Sequence, residues 1–83
     1  MLLHIGGEKL LRWDDIVGVF DMDNATSSHL TREFLKKAER AKKVTSVSEE
    51  LPKSFILCGD RVYLSHLGSA TLLGRTENLQ QMF

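Results

Sequence analysis

Short apolar runs, broken by glycine and by clusters of small polar residues, fill the first twenty positions of the chain. Leu2 to Ile5 is a strand candidate. Gly6-Gly7-Glu8-Lys9 is a turn signal, because glycine takes positive φ without steric cost. Lys9 to Trp13 then completes a hairpin, and Asp14-Asp15 ends it. Ile16 to Phe20 (IVGVF) has the β-branched and aromatic content of a third strand, with Gly18 marking a bulge or a close backbone approach. The period then changes. In SHLTREFLKKAERAKK, residues 28–43, Leu30, Phe34, Ala38 and Ala41 share one stripe of a helix at about 100° per residue. Arg32, Lys36, Arg40 and Lys43 share another, nearly opposite. The Asp/Asn/Ser/Thr-rich stretch before it suits a helix start, and Asn24, Thr26, Ser27 and Ser28 are all N-cap candidates. The helix is expected to run to about Lys43. Val44 to Val47 reads as a short strand or an extended exit, and Pro52 bars helix around Leu51. Ser54 to Cys58 and Arg61 to Ser65 are apolar-rich runs separated by Gly59-Asp60, a hairpin signal of type II′. Gly68 to Gly74 has room for one helical turn.

The order β-β-β-α-β-β-β predicts an α+β fold: a small, largely antiparallel sheet carrying one long amphipathic helix. Leu2, Ile5, Ile16, Val19, Phe20, Leu30, Phe34, Ile56, Val62 and Leu64 form the expected core. A lone helix covers one sheet face, so the other face, or an edge strand, needs a partner. Eighty-three residues make one domain, placed at residues 1–75 with a tail at 76–83. With a single cysteine no internal disulfide is possible. Self-association is the expected support for so small a core, with Trp13, Tyr63, Leu79, Met82 and Phe83 as interface candidates.

Eleven basic and eleven acidic residues cancel, which argues against a wholesale nucleic-acid coat protein. Their distribution is uneven. Arg32 to Lys43 holds six basic and two acidic side chains, whereas Asp14 to Asp23 holds four acidic and no basic ones. The unpaired Cys58 suits a reducing compartment, MLLHIGG lacks the features of a signal peptide, and no apolar run approaches a membrane span. The expectation is a cytoplasmic protein without membrane contact.

Catalytic chemistry is hard to find. No nucleophile elbow, Walker lysine loop or dinucleotide fingerprint is present. His29 and Glu33 stand at metal-ligand spacing on a helix, but no third ligand is evident and a solvated first turn explains them. His4 and His66 fit packed or surface histidines. Asp14-Asp15 and Glu49-Glu50 are sequence neighbours whose side chains diverge in an extended chain, where acid–base work needs convergence. Cys58 reads as a small buried hydrophobe. No cofactor, metal or small-molecule substrate is expected. The basic stripe is the positive signal. Its plain explanation is a solvated face supported by Glu33–Lys37 and Glu39–Lys43 pairs at i, i+4. Its functional explanation is phosphate binding, because no acidic residue interrupts Arg32, Lys36, Arg40 and Lys43 along their own stripe. Aromatic stacking platforms are missing, which disfavours single-strand recognition.

LHIGGEKLLRWDDIVGVFD at the start, TREFLKKAER in the helix, LPKSFILCGDRVYLS, and SATLLGR near the end together resemble the RemA/RemB family of extracellular-matrix biosynthesis regulators, nearest the RemB branch. The resemblance implies a small cytoplasmic protein, similar to LytTR-type DNA-binding domains, that assembles into closed rings around which DNA can bend. For the RemA branch it implies DNA binding upstream of matrix operons and activation of their transcription. The chain departs from the RemA branch where an arginine before the third strand and an arginine pair before the final hairpin are expected: Asp15 and Leu51-Pro52 stand there, with Lys53 alone basic nearby.

The combined expectation is a non-enzymatic homo-oligomeric regulator of matrix or biofilm genes, contacting double-stranded DNA through Arg32, Lys36, Arg40, Lys43 and Lys53. Lysine-rich contacts favour phosphate over base readout. The rival reading is an oligomeric scaffold or adaptor that binds another protein and has no nucleic-acid affinity.

Overall fold

The computed structural model describes residues 2–25 and 28–74. Its strands are β1 (Leu2–Gly6), β2 (Lys9–Arg12), β3 (Ile16–Asp21), β4 (Val44–Ser46), β5 (Ser54–Cys58) and β6 (Arg61–Ser65). Its helices are α1 (Met22–Ala25) and α2 (His29–Arg40), with a 3₁₀ turn at Trp13–Asp15 and a further helical segment at residues 69–74.

Local chemistry accounts for the joints. Gly59 sits at φ +58 between the paired residues Cys58 and Arg61, while Asp60 stays outside the left-handed region; this is the expected II′ turn. Gly7 takes φ +57, and a Cβ there would lie 2.5 Å from the Val47 carbonyl oxygen. The pairing of β3 with β5 slips between Ile16 and Gly18, which makes Val17 the extra, outward residue of a bulge. A Cβ on Gly18 would meet the Phe20 ring at 2.7 Å. Gly18 therefore serves both a bulge and a close approach.

Ser28 caps α2, its hydroxyl accepting from the Thr31 amide at 3.5 Å. The helix stops at Arg40, earlier than the expected Lys43. Lys42 adopts φ +60, and the Lys43 and Lys42 amides fold back onto the Ala38 and Glu39 carbonyls at 2.9 and 3.0 Å. That is the double bond of a Schellman ending, with lysine where glycine is usual. The Lys43 carbonyl then accepts from the Val62 amide at 2.8 Å, which starts β4 alongside β6.

The expected single sheet is two sheets. β1 and β2 form an antiparallel hairpin, and β3-β5-β6-β4 form a mixed sheet in which β4 runs parallel to β6. β3 and β4 thus point the same way at opposite edges, with α2 as the crossover that parallel strands require. On one face, α2 sets Ala38 and Leu35 over Phe55, Val62, Leu57 and Leu64. On the other, the hairpin's Leu3, Ile5 and Leu11 and the distant Leu72 pack on Ile56, Tyr63 and Cys58. The second sheet face is thus covered by the chain's own first hairpin. Burial on both faces explains why FILC in β5 is continuously apolar.

The core differs from expectation at four positions: Leu2, Phe20, Leu30 and Phe34 are exposed, while Leu3, Leu11, Phe55 and Leu72 are buried. In β1 the alternation runs through Leu3 and Ile5, so Leu2 points out. In α2 the packed side is centred on Thr31, Leu35 and Ala38, to one side of the Leu30–Phe34 stripe.

Ser54 and Ser65, cross-strand partners on β5 and β6, are both fully buried. The Ser65 hydroxyl donates to the Ile5 carbonyl and accepts from the Leu67 amide; the Ser54 hydroxyl donates to the Leu67 carbonyl at 2.7 Å. These bonds stitch the hairpin and the chain after β6 to the main sheet. Ser65→Ala should lower unfolding free energy by about 1–3 kcal/mol, because it leaves the buried Ile5 carbonyl and the part-buried Leu67 amide without this partner; a urea midpoint measures this. Lys42→Gly should raise stability by roughly 0.5–1 kcal/mol, as glycine relieves the left-handed strain but loses more chain entropy, and the same titration measures it.

Candidate nucleic-acid interface

The side of α2 that faces away from the sheet carries Arg32, Lys36 and Arg40, all exposed. At 1.5 Å rise per residue, four-residue steps place successive charges about 6 Å apart along the axis. Glu39 and Glu33 border the stripe on its two sides without entering it. Neither expected internal pair closes: among the described residues no ion pair joins Glu33 to Lys37 or Glu39 to Lys43. Lys43, past the helix end, instead reaches Asp60 in the β5–β6 turn, with its Nζ 3.0 Å from Oδ2. That ammonium, by hydrogen bond and by charge, holds the Asp60 carboxyl below its ordinary value. Lys43 is therefore off the stripe and partly neutralised.

Lys53 lies elsewhere. Its amide donates to the Ser65 carbonyl at 2.8 Å and its carbonyl accepts from the Met22 amide at 2.9 Å, which places it beside α1 at the start of β5. Of the five cations singled out from sequence, the structure brings three together and leaves two apart. Lys37 is a further exposed cation on α2, on the flank beside Leu30 and Phe34. Its assignment to a Glu33 pair hid it from sequence reasoning.

Trp13 and Tyr63 are half-buried against the hairpin-side core, and the Lys9 ammonium stands 5.1 Å from the Tyr63 ring centroid. Leu79, Met82 and Phe83 lie outside the described residues. Among the described residues, no set of three His, Cys, Asp or Glu side chains converges as metal ligands, and no helix is long and apolar enough to cross a membrane.

A family model described as "Extracellular matrix regulatory protein A-like" (RemA-like) matches residues 2–76. The chain belongs to the RemA-like family. It is also 39% identical over 77 residues to the "Extracellular matrix regulatory protein B" of Bacillus subtilis (strain 168), covering 93% of this chain and 91% of that protein. The match supports the expected likeness to the RemB branch, and the family is one of extracellular matrix regulators.

Within the RemA-like frame, the two departures from the expected arginines fall at opposite ends of the β3–β5 ladder. Asp15, exposed in the 3₁₀ turn, adjoins the Ile16–Cys58 end, and Leu51-Pro52 lead into the Asp21–Ser54 end. Four residue steps separate these ends, about 13 Å at 3.3 Å per residue. Asp15 also acts on Cys58. Burial pushes the thiol up from its ordinary value, the Asp15 charge adds to this, and Lys9 opposes it. Cys58 is held as the protonated thiol, the poorly nucleophilic form.

Because the folded Asp60 carboxyl lies below its unfolded value, the Lys43–Asp60 pair supports the fold above the ordinary aspartate range and is lost as pH falls through the depressed value. Lys43→Met should raise the Asp60 titration midpoint toward the ordinary aspartate value, read by NMR of its carboxyl carbon. At pH 8, Ellman's reagent should modify Cys58 in the native protein more slowly than in the urea-unfolded chain.

Proposed function

We propose that the protein is a non-enzymatic, homo-oligomeric DNA-binding regulator of extracellular-matrix genes. It acts in the cytoplasm and touches duplex phosphates through the outer face of α2. The observation that carries this reading is the alignment of Arg32, Lys36 and Arg40 on one exposed face. A phosphate backbone is a line of negative charge, and a helix face with cations at regular spacing is suited to it. The family description supports a regulatory role, and the resemblance noted above supports LytTR-like DNA binding by closed rings. In a ring the three-cation face recurs with each subunit, so weak phosphate contacts add through effective concentration. Lys53 and Lys43 would reinforce the field from the sides, Lys43 less because Asp60 offsets it.

Two observations favour the adaptor reading: an acidic and an apolar segment stand where arginines are expected, at Asp15 and at Leu51-Pro52, and an apolar groove opens beside α2.

Lys36→Glu combined with Arg40→Glu should weaken binding to duplex DNA. Removing two phosphate contacts should reduce the slope of log K against log salt by about 1.8 per engaged subunit, with thermal stability little changed. Gel-shift titrations at several salt concentrations measure both. Unaltered affinity would overturn the residue assignment, and no binding by the wild type at low salt would favour the adaptor.

A further inference from the structure

Positive charge does not stop where α2 stops. The last turn of the helix holds Lys37 and Arg40, and Lys42 and Lys43 follow at once in the exit. That exit is fixed against the sheet. The Lys43 carbonyl accepts from the Val62 amide at 2.8 Å, and Val44 pairs with Val62 in parallel register. One step earlier on each strand, Lys43 is therefore the neighbour of Arg61. Asp60, the carboxylate in the adjoining turn, is already engaged. Its Oδ2 lies 3.0 Å from the Lys43 ammonium. Lys43 chiefly, with Arg61 adding, holds that carboxyl below its ordinary value. Asp15 adjoins β3, at the opposite edge of the sheet from β4. Lys42 and Arg61 are both exposed, and among the described residues no ion pair closes on either.

Lys42 is the informative residue. It holds φ +60, which glycine adopts freely and lysine only at a steric cost. The helix has little need of a cation there. Lys37, Arg40 and Lys43 already face the negative end of its dipole. The Lys37, Ala38 and Glu39 carbonyls already accept from backbone amides. Strain kept at a position where glycine would serve the fold better points to a ligand outside the chain. We propose that Lys42 and Arg61 are a second pair of phosphate contacts for duplex DNA, beyond the carboxyl end of the Arg32–Lys36–Arg40 stripe. This rests on the DNA-binding reading above and extends it from the helix face to the helix exit and the β5–β6 turn. Lys43 is a positioning residue here. Its ion pair with Asp60 ties the turn to the exit and offsets the one carboxylate that would repel a phosphate between them.

Lys42→Gly separates charge from structure, because glycine keeps the left-handed turn while removing the ammonium. Gel-shift titrations on a mixed-sequence DNA duplex at several salt concentrations, paired with urea unfolding, test the proposal. Lys42→Gly should raise the urea midpoint and yet weaken DNA binding. Loss of one phosphate contact should lower the slope of log K against log salt by about 0.9 per engaged subunit, roughly an eight-fold loss at about 0.1 M salt. Arg61→Gln should lower affinity and slope alike, with its circular dichroism unchanged. Arg12→Gln removes an equal charge from the exposed end of β2, on the hairpin that covers the opposite sheet face, and should leave both quantities as in the wild type. Wild-type affinity and slope in Lys42→Gly or in Arg61→Gln would overturn the proposal, and so would an equal loss in Arg12→Gln, which would make the effect one of net charge. Any of these leaves the α2 stripe to be judged by Lys36→Glu with Arg40→Glu. A wild type without affinity for the duplex at low salt would overturn both.

Discussion

The fold depends on a sheet hairpin that is covered on both sides. β5 and β6 carry apolar side chains toward α2 and toward the first hairpin alike, and neither cover is large. Apolar contact by itself has no direction, so it does not say where β1 should lie across β6. Ser65 supplies that direction. Its hydroxyl, fully removed from water, bonds the Ile5 carbonyl of one layer and the Leu67 amide of another segment. A buried polar group is costly unless satisfied, and only one alignment of the layers satisfies this one. Ser54 beside it repeats the device on the Leu67 carbonyl.

Much of this was legible in the chain. The glycine turns, the Gly18 bulge and the β5–β6 hairpin have local causes, and local causes can be read from adjacent residues. The end of α2 was not legible because lysine at position 42 gives no hint of a left-handed conformation. The direction of β4 was not legible either. A three-residue strand has no periodicity to read, and its paired residues in β6 lie eighteen positions further along the chain. The division of six strands into two sheets is a tertiary choice, and the exposed Leu2 shows how a strand's inward phase is decided by what packs on it. The serines were overlooked because small polar residues normally read as solvent-facing.

The candidate interface was legible in part. Periodicity placed Arg32, Lys36 and Arg40 on one face because α2 is regular over those residues. It carried Lys43 along only by extending the helix past its true end, and spatial pairing with Asp60 overrode sequence spacing. The apolar stripe opposite was misjudged as wholly internal. Leu30 and Phe34 are at the correct spacing for a core, yet α2 is rotated so that Leu35 and Ala38 do the packing. The rotation turns an expected core stripe into accessible surface beside β3.

The three aligned cations on α2 are not electrically equivalent. Peptide dipoles sum along a helix to roughly half a positive charge at its amino end and half a negative one at its carboxyl end. Arg32 lies in the opening turn and Arg40 in the closing one. The backbone therefore adds to the field at Arg32 and subtracts from it at Arg40, so the face has a built-in gradient. An anion moving along it meets a deeper electrostatic well at the Ser28 end. The face has a preferred direction, which a row of identical charges on a non-polar support would lack.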